Sequence, residues 1–107
     1  QRERDSLTTV KHHKGGPPVD TATLVLTDIQ GSTALWEADA MAMREALTTH
    51  DKILRNVSIQ HQGYEVRTEG DAFFLAFHDP IDAFKFALET QVALRDADWP
   101  SGILDHK

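Results

Sequence analysis

Gly63-Tyr64-Glu65-Val66-Arg67-Thr68-Glu69-Gly70-Asp71-Ala72-Phe73-Phe74-Leu75-Ala76-Phe77 is the stretch that decides the fold. Its first arm alternates with the period of two of a β-strand, which assigns Tyr64, Val66 and Thr68 to one side and Glu65, Arg67 and Glu69 to the other. Gly70-Asp71 reads as a two-residue hairpin turn with glycine first, the preference of a type II′ geometry. The return strand covers roughly residues 72–78. An antiparallel hairpin is therefore expected in the second half of the chain.

Upstream, Thr23-Leu24-Val25-Leu26-Thr27-Asp28-Ile29 is a near-continuous apolar run, which predicts a strand covered on both faces. Gly31 or Ser32 can cap a helix that begins near Thr33. Helical spacing then runs through Leu35, Trp36, Met41, Met43, Leu47, Ile53, Leu54 and Val57, as a short helix and a longer one, ended by His61-Gln62-Gly63. Downstream of the hairpin, Asp79-Pro80-Ile81-Asp82 combines a capping acceptor, a proline at the first helical position and an acid in the first turn. Ile81, Phe84, Leu88 and Val92 continue at helical spacing to about Arg95, and Trp99-Pro100-Ser101-Gly102 breaks the helix. Phe73, Phe74, Phe77, Phe84 and Phe86 read as core rather than as stacking platforms for a base.

The order is β-α-β-β-α, an α+β pattern. A ferredoxin-like split βαβ fold would be completed by a further strand beside the first. None follows by residue 107, so a domain incomplete at its C-terminus is expected. Residues 1–20 are polar, contain Gly15-Gly16-Pro17-Pro18 and show no period, so they read as a flexible linker. The adjacent His12 and His13 fall in that linker and would point in different directions as metal ligands.

With 107 residues, 40% hydrophobic and 26% charged, the chain has the size and composition of one globular domain or part of one. The formal net charge is −6 and is unevenly spread: residues 1–20 hold four Lys/Arg against three Asp/Glu, the remainder seven against fourteen. An acidic body argues against a nucleic-acid surface, which needs clustered cations to displace counterions from phosphates. It suits a protein that concentrates metal cations. The absence of cysteine excludes disulfides and thiolate zinc sites. No apolar run approaches the roughly 20 residues of a membrane helix, and the N-terminus has no signal-type apolar core. The expected location is cytoplasmic, or the cytosolic part of a larger or membrane-associated protein.

Two carboxylates stand out. Asp28 closes the first strand-like run and is followed by Gln30-Gly31-Ser32-Thr33; Asp71 sits in the hairpin turn. Magnesium takes hard oxygen ligands, typically one or two carboxylates with substrate phosphates and water. In a split βαβ sheet the end of the first strand and the hairpin tip can lie side by side, so the two aspartates can converge on one metal pair, and the Gly31 turn can offer backbone N–H groups to phosphate oxygens. On spacing alone a second reading stands beside this one: Asp and Gly are common in turns, and Asp28 can simply cap a helix. Likewise Arg67 with Glu65 and Glu69 reads as an exposed cross-strand charge cluster, and Thr27 as sheet filler. His50, His61, His78 and His106 lack ligand-like spacing, and no Ser-His-Asp arrangement is present.

Leu26-Thr27-Asp28-Ile29-Gln30-Gly31-Ser32-Thr33-Ala34-Leu35-Trp36-Glu37 resembles the first-strand signature of class III adenylyl/guanylyl cyclase catalytic domains. Residues 63–77 resemble the metal-binding hairpin of the same family, in the right order and separation, and the likeness covers roughly residues 21–98. It implies a ferredoxin-like core, a head-to-tail homodimer or heterodimer with another cyclase domain, and conversion of a nucleoside triphosphate to a cyclic 3′,5′-monophosphate and pyrophosphate. By position it makes Asp28 and Asp71 the carboxylate ligands of two Mg2+ or Mn2+ ions, with the Ile29 carbonyl as a further ligand. Gln30, Gly31, Ser32 and Thr33 would line the triphosphate. Arg67, four residues before Asp71, takes the base-reading position, where adenylyl cyclases usually carry lysine and guanylyl cyclases glutamate. Arginine only donates, so it can approach adenine N1 or guanine O6 but cannot accept from guanine N1–H; the guanylyl pattern is disfavoured, and the expected substrate is ATP, with GTP the alternative.

The resemblance reaches only the first half of such a domain. The family's other half carries the second base-reading residue and an Asn/Arg pair that steadies the transition state. Those catalytic residues are expected beyond residue 107, and residues 21–107 are the N-terminal part of the domain, inactive by themselves. The competing reading is a catalytically silent cyclase-homology domain kept for dimerisation, regulation or assembly. A palm-like diguanylate cyclase or polymerase is disfavoured, because Thr68-Glu69-Gly70-Asp71 lacks the Gly-Gly-acidic signature of the former.

Overall fold

In the computed structural model, residue 17 and residues 21–104 are described. The expected linker over residues 1–20, with His12 and His13, lies outside the described residues apart from Pro17. The chain forms β1 (Thr23–Thr27), α1 (Ser32–Ala38), α2 (Ala40–Gln60), β2 (Tyr64–Glu69), β3 (Ala72–Phe77), α3 (Pro80–Asp96) and a short α4 (Ser101–Leu104). This is an α+β fold: three antiparallel strands in the order β1-β3-β2, with helices packed on one face.

The helix boundaries follow from local chemistry. Asp39 interrupts the first helical run with extended backbone and accepts from the Ala42 N–H through Oδ1 (3.0 Å), capping α2. At the other end His61 N donates to Val57 O, Gln62 N to Ile59 O and Gly63 N to Ser58 O at 2.8 Å, satisfying the last carbonyls. The positive φ of this cap falls on Gln62 (64°) rather than on the glycine beside it. Gly63 is needed for space: a Cβ there would meet Ser58 Oγ and come within 2.9 Å of the Phe77 ring. Gly63→Ala is therefore expected to cost about 1–3 kcal/mol by overpacking, read as a lower urea midpoint at unchanged slope. Helix α3 starts as the sequence predicts, with Asp79 Oδ1 accepting from Ile81 N (2.9 Å) and Pro80 at the first helical position.

The core comprises Leu54 and Val57 from α2, Phe73, Leu75 and Phe77 from β3, and Ala83 and Phe86 from α3. Three expectations are corrected here. Strand β1 is covered on one face: Thr23, Val25 and Thr27 are half-buried, while Leu24 and Leu26 remain about two-thirds exposed on the other side. In α3 the stripe Ile81, Phe84, Leu88 and Val92 is exposed, and the helix packs instead through Ala83, Phe86 and Thr90. This helix is apolar on two sides, and one sheet face with α2 can cover only one of them. Of the five phenylalanines, Phe73, Phe77 and Phe86 are buried, Phe74 is half-buried and Phe84 is exposed.

The third correction concerns β2. The register pairs Glu65 with Leu75 and Arg67 with Phe74, leaving Val66 as an extra residue in a bulge. Paired residues share a face, so Glu65 and Thr68 lie on the helix-covered side with Leu75 and Phe73. Tyr64, Arg67 and Glu69 lie on the open side with Ala76, Phe74 and Ala72. The regular alternation expected from the sequence is broken at Val66.

Candidate active site

The end of β1 and the start of β3 are hydrogen-bonded neighbours, with Thr27 paired to Phe73. Continued by one step, that register sets Asp28 opposite Ala72 and beside Asp71. The topology thus brings both aspartates to one end of two adjacent strands. Thr27, which the sequence assigns to sheet filling, braces this corner: its Oγ1 accepts from the Phe73 N–H at 3.2 Å, across 46 positions. Its signal in the sequence is a hydroxyl one residue before a strand-end aspartate. Thr27→Val is expected to cost about 1–2 kcal/mol by orphaning that N–H, checked by equilibrium unfolding.

The two carboxylates differ in environment. Asp28 is exposed, and its Oδ1 accepts from the Ile29 N–H at 3.0 Å. Asp71 is half-buried in the hairpin turn, with Oδ2 buried and without a hydrogen-bond partner. The turn is shaped by Gly70, whose φ of 59° lies in the left-handed region, while Asp71 keeps a negative φ, as a type II′ hairpin requires. An unpartnered buried carboxylate oxygen is costly unless a cation meets it. The donor set therefore fits a hard divalent ion. Among the described residues no group of three or more His, Cys, Asp or Glu gathers at one point. An ion held here would draw the rest of its coordination from backbone, water and substrate oxygens.

Ile29 is half-buried next to Asp28, and Gln30-Gly31 turn the chain into α1, with Gly31 at a φ of 72°. Gly31 O accepts from Leu35 N at 3.2 Å, and no side chain caps this helix. Ser32 and Thr33 begin α1. Gln30, Gly31 and Thr33 are exposed and Ser32 is half-buried, so the turn is open to a ligand.

Arg67 stands on the open sheet face. Its guanidinium carbon lies 4.7 Å over the centre of the Phe74 ring, and Nη2 is 3.4 Å from Glu69 Oε2. The expected cluster of Glu65, Arg67 and Glu69 is accordingly split across the sheet. Glu65 belongs to a group that the sequence does not reveal. Arg55 on α2 donates to it through Nε (3.0 Å) and Nη2 (3.3 Å), and Thr68 Oγ1 donates to Glu65 Oε2 at 2.6 Å. The Arg55 guanidinium also lies 5.0 Å from the centre of the Phe73 ring. Its hydrogen bonds to Glu65 hold it above the ordinary arginine range, with burial opposing. Nothing in the spacing singles out Arg55, because the bulge that turns Glu65 toward it is invisible to a period count.

No helix among the described residues is long and apolar enough to cross a membrane. The family described as the adenylate and guanylate cyclase catalytic domain matches residues 16–101. The adenylate cyclase of Lachancea kluyveri is 46% identical over 87 residues, covering 81% of this chain and 5% of that protein. The adenylate cyclase of Schizosaccharomyces pombe is 40% identical over 101 residues, 94% of this chain and 6% of that protein. The receptor-type adenylate cyclase GRESAG 4.3 of Trypanosoma brucei brucei is 39% identical, over 82% of this chain and 7% of its own length. A structure of an adenylate cyclase from Trypanosoma brucei in its monomeric state superposes with a TM-score of 0.80 at 35% identity, covering 87% of this chain and 41% of that one. The chain thus spans a small fraction of these curated relatives and less than half of the solved structure. The fold and the sequence similarity agree, and the chain belongs to the class III adenylate and guanylate cyclase catalytic domain family, whose members use divalent metals.

Proposed function

We propose that this chain is the metal- and triphosphate-binding part of a nucleotidyl cyclase catalytic domain that converts ATP, in preference to GTP, to a cyclic 3′,5′-monophosphate and pyrophosphate. The observation that carries this reading is the register that sets Asp28 and Asp71 at the same end of β1 and β3, with Asp71 Oδ2 buried and without a hydrogen-bond partner. The strand order β1-β3-β2 supports a ferredoxin-like split βαβ core, in which a further strand beside β1 completes the sheet. Residues 21–107 would then be the N-terminal part of the domain.

In the reaction the ribose 3′-oxygen attacks the α-phosphorus as the bond to the β-phosphate oxygen breaks; the hydroxyl proton is released and pyrophosphate departs. Asp28, Asp71 and the Ile29 carbonyl would hold two Mg2+ or Mn2+ ions, which when bound supply charge for the attacking and leaving oxygens. The turn Gln30-Gly31-Ser32-Thr33 would orient the triphosphate, and Arg67 would donate to the base. Arg67 can donate to adenine N1 or guanine O6 but cannot accept from guanine N1–H as a glutamate would, so the preference for ATP draws on the adenylate cyclases among the relatives. The transition-state residues would come from the rest of the domain and from a second cyclase domain across a dimer interface. The compartment that supplies ATP and a divalent cation is the cytoplasm, where a receptor-type parent would place its catalytic part.

The test is a titration of Mg2+ or Mn2+ with ATP and with GTP against the full-length protein, with the product identified by chromatography. Metal-dependent cyclic AMP formation is expected, with GTP a poorer substrate. A full-length protein that binds metal and nucleotide yet yields no cyclic product would support the silent homology domain instead.

A further inference from the structure

We infer that Arg55, on α2, is a positioning residue for the base: through Glu65 and Thr68 it locks the Val66 bulge that turns Arg67 onto the open face of the sheet. This rests on the nucleotide-binding reading above, and it adds a residue from a helix that contributes no ligand to that site.

In a regular strand, residues three apart point to opposite faces. Glu65 and Thr68 are three apart, yet they share the helix-covered face and are joined by a 2.6 Å hydrogen bond. That bond forms only because Val66 is an extra residue opposite β3. Remove the bulge, and Arg67 returns to the face of Glu65, against the helices and away from Phe74. The position of the base-reading guanidinium is therefore set by whether β2 keeps its extra residue.

A bulge on an edge strand is not held by a neighbour on its far side, and β2 is an edge of the described sheet. Here the hold comes from α2. Arg55 grips both Glu65 oxygens, a fork geometry that fixes direction as well as distance. Its guanidinium lies over Phe73, and Phe73 N is bonded to Thr27 at the corner that carries Asp28. The clamp thus ties the bulge to the core and to the metal corner together. On the open face Arg67 rests over Phe74 and pairs with Glu69, so its guanidinium is aimed before any ligand arrives. Holding a recognition group in place beforehand lowers the ordering cost of binding.

The test uses the full-length protein with Mn2+ and measures equilibrium binding of ATP and of GTP, alongside binding of Mn2+ alone. Arg55→Met is expected to weaken ATP binding about 2- to 5-fold, the scale of a largely exposed ion pair. The ATP-to-GTP affinity ratio should fall toward one, with Mn2+ binding within about twofold of wild type, since a lost selectivity is a difference of two affinities. Thr68→Val keeps the shape and removes only the bond that pinches the bulge; it should shift the ratio in the same direction by a smaller factor, and it decides the matter where Arg55→Met does not fold. Variants that lower the melting temperature but keep ATP affinity and the ratio at wild-type values overturn the inference, leaving the clamp a structural tie. Wild-type protein that binds neither nucleotide overturns the underlying reading and the inference with it, and is recognised because the unmutated protein is itself silent.

Discussion

Asp71→Ala is expected to abolish metal-dependent cyclic nucleotide formation in the full-length protein while leaving the fold as stable as before, or more so. The first half of this expectation comes from electrostatics. The carboxylate is one of two protein anions at the proposed metal pair, and metal charge stabilisation is worth several kcal/mol, about a thousandfold or more in turnover. The second half comes from the hairpin itself. Its turn is set by Gly70 in the left-handed region, and Asp71 Oδ2 is buried without a partner. Removing a buried oxygen that nothing satisfies relieves a desolvation cost. Activity and stability should therefore separate: turnover with Mn2+ falls to background, calorimetric Mn2+ binding weakens, and the melting temperature holds or rises. Asp71→Asn keeps the shape and loses the charge, so it should be nearly as inactive. Wild-type turnover in either variant would remove Asp71 from the metal site.

How much of this was legible beforehand depends on what each residue had to say locally. The two-residue, glycine-first turn at Gly70-Asp71 and the Asp79-Pro80 helix start are written in neighbouring residues, and each is found where the sequence places it. Likewise, the hairpin and first-strand motifs identified the family, because short motifs in the right order survive any uncertainty about packing. The errors lie where local pattern is silent. The Val66 bulge flips Arg67 relative to Glu65, and no period-two count registers an inserted residue. Arg55 became visible only when α2 was laid across β2. The uncovered face of β1 and the rotated face of α3 share one cause: hydrophobicity shows that a surface can be buried, and the neighbouring elements decide which surface is.

The same distinction sets the largest expected stability effect, Phe77→Ala against Phe84→Ala in the 107-residue chain. Both are apolar aromatics, and helical spacing alone ranks Phe84 as the core face of α3. The structure reverses the ranking. Phe77 is fully buried on β3, its ring 5.5 Å from that of Phe86 and close against Gly63. Phe84 is 63% exposed. Truncating Phe77 removes its transfer free energy, leaves a cavity under three elements and loses the ring pair, about 3–5 kcal/mol in all. A small domain holds only about 5–15 kcal/mol in total, so the variant should be largely unfolded at modest urea concentrations. Phe84→Ala, on a surface that nothing in the described chain covers, should change stability by no more than about 0.5 kcal/mol. Equilibrium urea unfolding of the two variants measures both. A Phe84 variant as damaged as the Phe77 one would mean that α3 packs through the stripe its periodicity suggests.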